Sequence, residues 1–215
     1  MDTQQYQQPV LGLIGGIGSG KSEVASIFAE HGAIIISGDK LGHEALLQQN
    51  IILQVMERWG MDVINDRNQV DRAKLAKVVF ADAQERQQLE SMVFPYIGAG
   101  ILRHIAVARA NPNVPFIVLD AAILLETKWD QHCQWVIYVH TPYPERLRRL
   151  TENRGWSEEE VIQRTNAQLP LAEKILVADS VINNTGTRED LVKEITRVLS
   201  ELNQATLYLT HKTTI

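Results

Sequence analysis

The 215-residue sequence contains a single cysteine, Cys133. No intrachain disulfide can form, which excludes a disulfide-stapled scaffold and fits a reducing compartment. A lone thiol close to Trp135 reads as a buried filler rather than a nucleophile. The first nine residues, MDTQQYQQP, have neither the basic start nor the apolar run of a secretory leader. No stretch approaches about 18 consecutive apolar residues, so no membrane span is expected. The formal net charge is -5, which argues against bulk nucleic-acid binding. The six histidines show no metal-ligand spacing, and His43 reads as helix surface. An N-K-x-D base-specificity motif, expected of a nucleotide switch, is also missing. These absences describe a cytoplasmic protein with no nucleic acid, no membrane and no obligate protein partner implied.

What the chain does contain is ordinary for a globular protein: 45% hydrophobic and 22% charged residues. The length suits one core domain with sizeable insertions, or two small domains. Five short apolar runs stand out: VLGLI (10–14), AIIIS (33–37), FIVLD (116–120), WVIYVH (135–140) and SVIN (180–183). Continuous rather than alternating runs suit strands covered on both faces, and helical patterns between them predict a parallel α/β sheet. Val24, Ile27 and Phe28 recur at helical spacing before Gly32. Pro144 suits the first turn of a helix that ends near Gly155. Ser157 and Glu160 form a capping box, and Leu191, Ile195, Val198 and Leu199 one apolar helix face. Between Lys40 and about Pro112 the alternation breaks into some seventy mostly helical residues, too many for a loop. Within it, FPYI (94–97) reads as a helix start. The tail ATLYLTHKTTI reads as peripheral.

The stretch GLIGGIGSGKSEVASIF (12–28) holds two overlapping glycine fingerprints. A dinucleotide loop needs a third small residue, and the spacing from Gly16 and Gly18 puts Lys21 there, too bulky for close helix–strand packing. The triphosphate pattern G-x-x-x-x-G-K-[ST] fits at Gly15, Gly20, Lys21 and Ser22. Small residues let backbone N–H groups wrap a phosphate, and the following helix adds its positive N-terminus. The residues Gly15, Gly16, Ile17, Gly18, Ser19, Gly20, Lys21, Ser22 and Glu23 are therefore assigned to the nucleotide. Lys21 reaches for the β- and γ-phosphates and Ser22 for Mg2+.

Two acids follow strands. Asp39, just past the second, suits a base that takes a proton from an attacking hydroxyl; its other reading is an N-cap of the next helix. Asp120, ending FIVLD, suits a carboxylate that orients Mg2+, or a polar strand end. PERLRRLTENRGWSEEEVIQR carries Arg146, Arg148, Arg149, Arg154 and Arg164. It reads as a helical hairpin closing on phosphates or as a solvated charged surface, with Arg148–Glu152 as a surface pair. INNTG (182–186), with Asn184, reads as a turn or as a contact to adenine.

Together these segments resemble the dephospho-CoA kinase family over about residues 10–202. GLIGGIGSGKSEVASIFAEHGA is similar to the family's opening. ISGDKLGHEAL is similar to its D-A-D segment, VDRAKLAKVVF to its arginine-containing helix, and LDAAILLE to its D-x-P-L-L-x-E stretch. RRLTENRG and RTNAQLPLAEKILVADSVINNTG are similar to its lid and last strand. The chain departs from the pattern at Ser37, Gly38, Ala122, Ile123, Phe94 and Asn183. The resemblance implies a P-loop NTPase-type kinase fold, a five-stranded parallel sheet flanked by helices with a helical substrate-binding insertion and a lid. It implies a nucleotide-binding core over 10–39, 112–142 and 177–205, an acceptor (CoA) domain over 40–111 and a lid over 143–176. It implies transfer of the ATP γ-phosphate to the 3′-hydroxyl of dephospho-CoA, with ATP and Mg2+ required. Asp39, Lys21 and Arg149 would be catalytic, Arg72, Asp39, Asp120 and Gln168 would meet the acceptor, and Ser22 and Asp120 the metal. Gln168 and Lys174 match the lid's A-Q-x-P-x-x-x-K pattern. The residues alone also admit another P-loop small-molecule or nucleotide kinase, or a non-catalytic P-loop binding module.

Overall fold

The computed structural model describes residues 8–212, with side chains to residue 204. The leader reading of residues 1–7 and most of the tail reading lie outside the described residues, although a helical backbone runs on to Lys212. Two compact units form. One comprises the chain up to Ile36 and from Ala108 onward, the other Ser37–Val107.

The first unit is built on β1 (Val10–Gly15), β2 (Ile34–Ser37), β3 (Ile117–Asp120), β4 (Trp135–His140) and β5 (Ser180–Asn183), ordered β2-β3-β1-β4-β5 in a five-stranded parallel sheet. Each strand coincides with one of the apolar runs to within a residue. All six residues of β1 are buried, as a central strand covered on both faces requires. On one face, α1 (Lys21–Glu30) and α9 (Arg188–Lys212) lay Val24, Ile27, Phe28, Leu191, Ile195 and Val198 against Leu11, Leu13, Val118, Ile137 and Ile182. Phe28 meets Phe116 edge-on at 5.9 Å. Arg188 holds the outer surfaces of the two helices together by ion pairs to Glu23 and Glu30. Pleating turns Gly12 to the opposite face, where a Cβ would stand 2.6 Å from Leu124 Cδ2 and 2.9 Å from Cys133 Sγ. Burial, with Asp130 beside it, pushes the Cys133 thiol up to about 12, so it packs as a neutral group.

After β4 come α6 (Tyr143–Arg154), α7 (Glu158–Asn166) and α8 (Leu171–Leu176). Pro144 lies in the first turn of α6, and Gly155 caps it with a left-handed φ of 65°. Ser157 Oγ accepts from the Glu160 N–H at 3.2 Å, while Glu160 Oε2 accepts from the Ser157 N–H at 3.0 Å. Arg148 pairs with Glu145 and with Glu152 on the exposed side. Lys174 of α8 is only 1% exposed. Its ammonium is 3.0 Å from Glu126 Oε1, and donates to Gln168 Oε1 at 3.3 Å and the Ala122 carbonyl at 3.5 Å. Glu126 Oε1 also accepts from the Leu169 N–H at 2.9 Å. This buried knot straps the segment around α8 to the loop after β3.

The second unit consists of α2 (Gly38–Ala45), α3 (Gln49–Trp59), α4 (Arg72–Ala81) and most of α5 (Ala83–Arg109). Helix α2 begins two residues earlier than the capping reading of Asp39 required. Ser37 is the N-cap, its Oγ accepting from Lys40 N–H at 3.3 Å, and Asp39 lies inside the first turn. Ser37 has the extended φ and ψ that a cap needs, whereas Asp39 is already helical. The FPYI helix start is likewise replaced by one continuous 27-residue helix with Pro95 inside it. Proline forfeits one backbone hydrogen bond. The helix persists because Val93, Ile97, Ile101 and Ile105, each one turn apart, are buried. By length and composition α5 is the one described helix also able to cross a membrane, with mean hydropathy 1.3 over its most apolar window. Leu41 of α2 packs over Gly100 of α5, where a Cβ would sit 2.8 Å from Leu41 Cδ2. Glu85 joins Arg58 and accepts from Trp59 Nε1 at 2.8 Å, tying α3 to the start of α5.

Breaking the Lys174 knot from one side strands a buried carboxylate. Lys174→Met is expected to destabilise the protein by about 3–5 kcal/mol in urea unfolding, and K174M/E126Q, which keeps an acceptor for Leu169, by clearly less. Equal losses in the two variants would show that the ion pair is not what ties this segment down.

Candidate active site

Residues 16–20 connect β1 to α1, and the groups beneath them determine which way each peptide faces. Arg146 of α6 donates from Nη1 to the Ile17 carbonyl at 3.2 Å and from Nε to the Thr141 carbonyl at 3.1 Å. The Ser19 carbonyl accepts from Thr141 Oγ1 at 2.9 Å and from Asn184 Nδ2 at 2.9 Å. Gly16 O accepts from Ser19 N–H at 3.1 Å, and Gly20 O from the N–H groups of Glu23 and Val24. Every described peptide bond is trans, so each C=O is opposed by the following N–H. Pinning the Ile17 and Ser19 carbonyls to the scaffold therefore turns the N–H groups of Gly18 and Gly20 to the other side. Gly18 and Gly20 adopt φ of 76° and 85°, values that side chains resist.

The crowding under the loop is equally specific. A Cβ on Gly16 would stand 2.9 Å from Arg146 Cζ, and one on Gly18 2.9 Å from the Arg146 carbonyl. A Cβ on Gly20 would overlap the Asn184 amide. The buried Ser19 hydroxyl has no hydrogen-bond partner. A glycine cradle with aligned N–H groups and a helix N-terminus is a donor set suited to polyphosphate. Lys21 and Ser22 open α1 from this cradle.

Arg149, one turn along α6 from Arg146, donates from Nη2 to the Asn184 carbonyl at 3.1 Å and from Nε to Glu145 Oε1 at 2.9 Å. Its Nη1 would lie 3.2 Å from a Cβ on Gly20, so a guanidinium face adjoins the loop. Hydrogen bonds from Arg148 and Arg149 pull the Glu145 carboxyl down to about 2. Asp120 ends β3, and the register Leu13↔Asp120 brings it level with the strand from which the loop springs. Among the described residues, no group of three or more His, Cys, Asp or Glu could hold a metal.

Three of the assigned side chains have protein partners in the structure. Asn184 is buried, and its amide is committed to the Ser19 carbonyl; it is a strut of the loop rather than a side chain available to adenine. The Glu23 carboxylate pairs with Arg188, away from the loop, as repulsion from phosphate would demand, and its N–H is used by Gly20 O. Gln168 turns its Oε1 to Lys174. Sequence reasoning missed Thr141 and the loop contacts of Arg146. A threonine directly after the fourth apolar run was the available signal for the first, and the three-residue spacing to Arg149 for the second.

In the helical unit, Asp39 is exposed in the first turn of α2, and its carboxylate has no hydrogen bond or ion pair within the described structure. Asp71 caps α4, accepting from the N–H groups of Ala73 and Lys74 at 3.1 Å each, which sets Arg72 as the first helical residue. The hairpin before it turns at Asn65, whose Oδ1 accepts from the Arg67 and Gln69 N–H groups. Arg72, His43, Asn65, Gln69 and Asp71 line an open cavity of about 690 Å³ with an apolar side at Leu46, Leu47 and Val70. Arginine, amides and aliphatic surface, with the Asp71 carboxylate committed to two backbone N–H groups, make a lining suited to a ligand that is part polar and part apolar.

Comparison with known proteins converges with this geometry. A family model described as dephospho-CoA kinase matches residues 9–190. The dephospho-CoA kinase of Carboxydothermus hydrogenoformans is 36% identical over 196 residues, covering 90% of this chain and 94% of its own. A crystal structure from Thermus thermophilus superposes with a TM-score of 0.76 at 31% identity, covering 91% of this chain and 98% of its own. The dephospho-CoA kinase of Campylobacter jejuni superposes with a TM-score of 0.60 at 25% identity, covering 90% and 97%. With a P-loop kinase fold and a family match that takes in both units, the chain belongs to the dephospho-CoA kinase family.

Proposed function

We propose that the protein transfers the γ-phosphate of ATP to the 3′-hydroxyl of dephospho-CoA, giving CoA and ADP, the last step of CoA biosynthesis. The observation that carries this reading is the phosphate cradle, with its Ile17 and Ser19 carbonyls pinned to the buried scaffold, in a chain of this family. In this reading the acceptor oxygen bonds to the γ-phosphorus as the bond from that phosphorus to the β-phosphate oxygen breaks. The hydroxyl proton goes to Asp39 and the electron pair leaves with ADP. An exposed carboxylate without an ion-pair partner suits that proton transfer.

The Gly18 and Gly20 N–H groups, Lys21 and Arg149 hold the donor phosphates and neutralise charge that shifts toward the leaving oxygen. Ser22 and Asp120 are the side chains that would hold Mg2+, which supplies charge neutralisation between the phosphates when bound. Arg72 and its cavity are assigned to the acceptor, whose phosphates suit the arginine and whose pantetheine arm suits Leu46, Leu47 and Val70. On this reading residues 10–39, 112–142 and 177–205 are the nucleotide core, 40–111 the acceptor domain and 143–176 the lid. A cytoplasmic setting agrees with a chain that has a single cysteine.

Purified protein with Mg-ATP is expected to convert dephospho-CoA to CoA with stoichiometric ADP, followed by chromatography; ADP release with nucleosides or sugars and none with dephospho-CoA would overturn the acceptor. Asp39→Asn is expected to lower kcat about 100-fold or more with KM for ATP near the wild-type value. Unchanged kcat would remove Asp39 from the proton path. Lys21→Ala is expected to lower kcat/KM for ATP by about 100-fold; full activity in that variant would contradict the cradle assignment.

A further inference from the structure

Arg146 is an anomaly among the basic residues of α6. Arg148 and Arg149 both meet Glu145, and Arg148 also meets Glu152. Arg146 is 4% exposed and pairs with no carboxylate. Its guanidinium is held by the carbonyls of Ile17 and Thr141 and lies beside the Tyr143 ring, 5.5 Å from the centroid. Burial lowers its pKa, and only Tyr138 and Tyr143 act against that shift. A buried charge normally has a partner of opposite sign, because leaving one uncompensated is costly. Here none is present among the described residues, and the guanidinium lies directly behind the phosphate cradle, against Gly16.

We propose that Arg146 is a fixed counter-charge to the nucleotide phosphates, acting through the backbone of the loop from its buried side. This rests on the ATP reading above and adds to it a charge that the ligand need not touch. Two properties make the position effective. The site is shielded from solvent, so attraction across the loop is weakly screened. The guanidinium is already immobilised by two carbonyls, so binding does not have to order it. Arg146 is thus a positioning residue, since Lys21 and Arg149 are the cations placed to touch phosphate.

The test compares Arg146→Gln and Arg146→Lys by calorimetric titration with ATP, inorganic tripolyphosphate and adenosine. R146Q is expected to weaken ATP and tripolyphosphate at least tenfold while adenosine binds as to wild type. R146K, which keeps the charge and loses the fork, is expected to stay within about threefold of wild type for ATP. A merely structural arginine would move all three ligands together, and that result overturns the proposal. So does an R146Q protein that binds ATP normally, or an R146K protein as weak as R146Q. If R146Q does not fold, as judged by circular dichroism, R146K decides alone: more than tenfold weaker ATP binding refutes the counter-charge. Failure of the wild-type protein to bind ATP would overturn the kinase reading itself and is seen before any variant is made.

Discussion

The carbonyl of Ser19 is the point on which the nucleotide site depends. Two neutral donors from two different strand ends, Thr141 after β4 and Asn184 after β5, hold it at 2.9 Å each. A peptide plane cannot turn one end without turning the other, so this anchorage decides where the Gly20 N–H points. The Thr141 hydroxyl accepts the task only because β4 and β5 run in register, His140 opposite Asn183, which brings the next residue of each strand under the loop. The affinity of the loop for anions is in this sense a property of the sheet. The glycines make room for the arrangement, but they do not produce it.

The helical unit relies on different physics. Its core is a set of aliphatic stripes, with Leu41 seated on Gly100 and the four-residue ladder Val93, Ile97, Ile101, Ile105 along α5. The residues proposed for the reaction sit beside its local caps: Ser37 starts α2 and so fixes Asp39 in a first turn, and Asp71 starts α4 and so fixes Arg72 at its first position. In both, a capping side chain one or two residues ahead of the proposed residue sets its position in the first turn.

The sheet was legible in the sequence because buried parallel strands are apolar on both faces, and all five runs proved to be strands. The loop was legible because its spacing is nearly unique to polyphosphate binding. The course of α5 was not, since Pro95 is a local helix breaker and the compensating stripe around it is visible only as tertiary burial. Asp39 as a cap failed for a related reason: Ser37 and Asp39 are both capping residue types, and backbone angles rather than composition choose between them. Asn184 and Glu23 were assigned to nucleotide from proximity in sequence to the right segments, yet both side chains are spent on protein partners, a carbonyl and an arginine. Arg146 could not be told from its neighbours by pattern, because burial without a carboxylate has no sequence signature.

The Lys174 knot has a mechanical consequence. At one end, the arginine hairpin is nailed to the loop by Arg146 and to the β5 end by Arg149. At the other, Glu126 grips both Lys174 and the Leu169 N–H. The hairpin is therefore an arch standing on two footings, not a flap swinging from one. Between the footings the span from Gly155 to Gln168 is itself packed, with Val161 buried and Trp156 flanked by Arg154 and Arg164, and Gly155, left-handed at 65°, makes the turn from α6 toward α7.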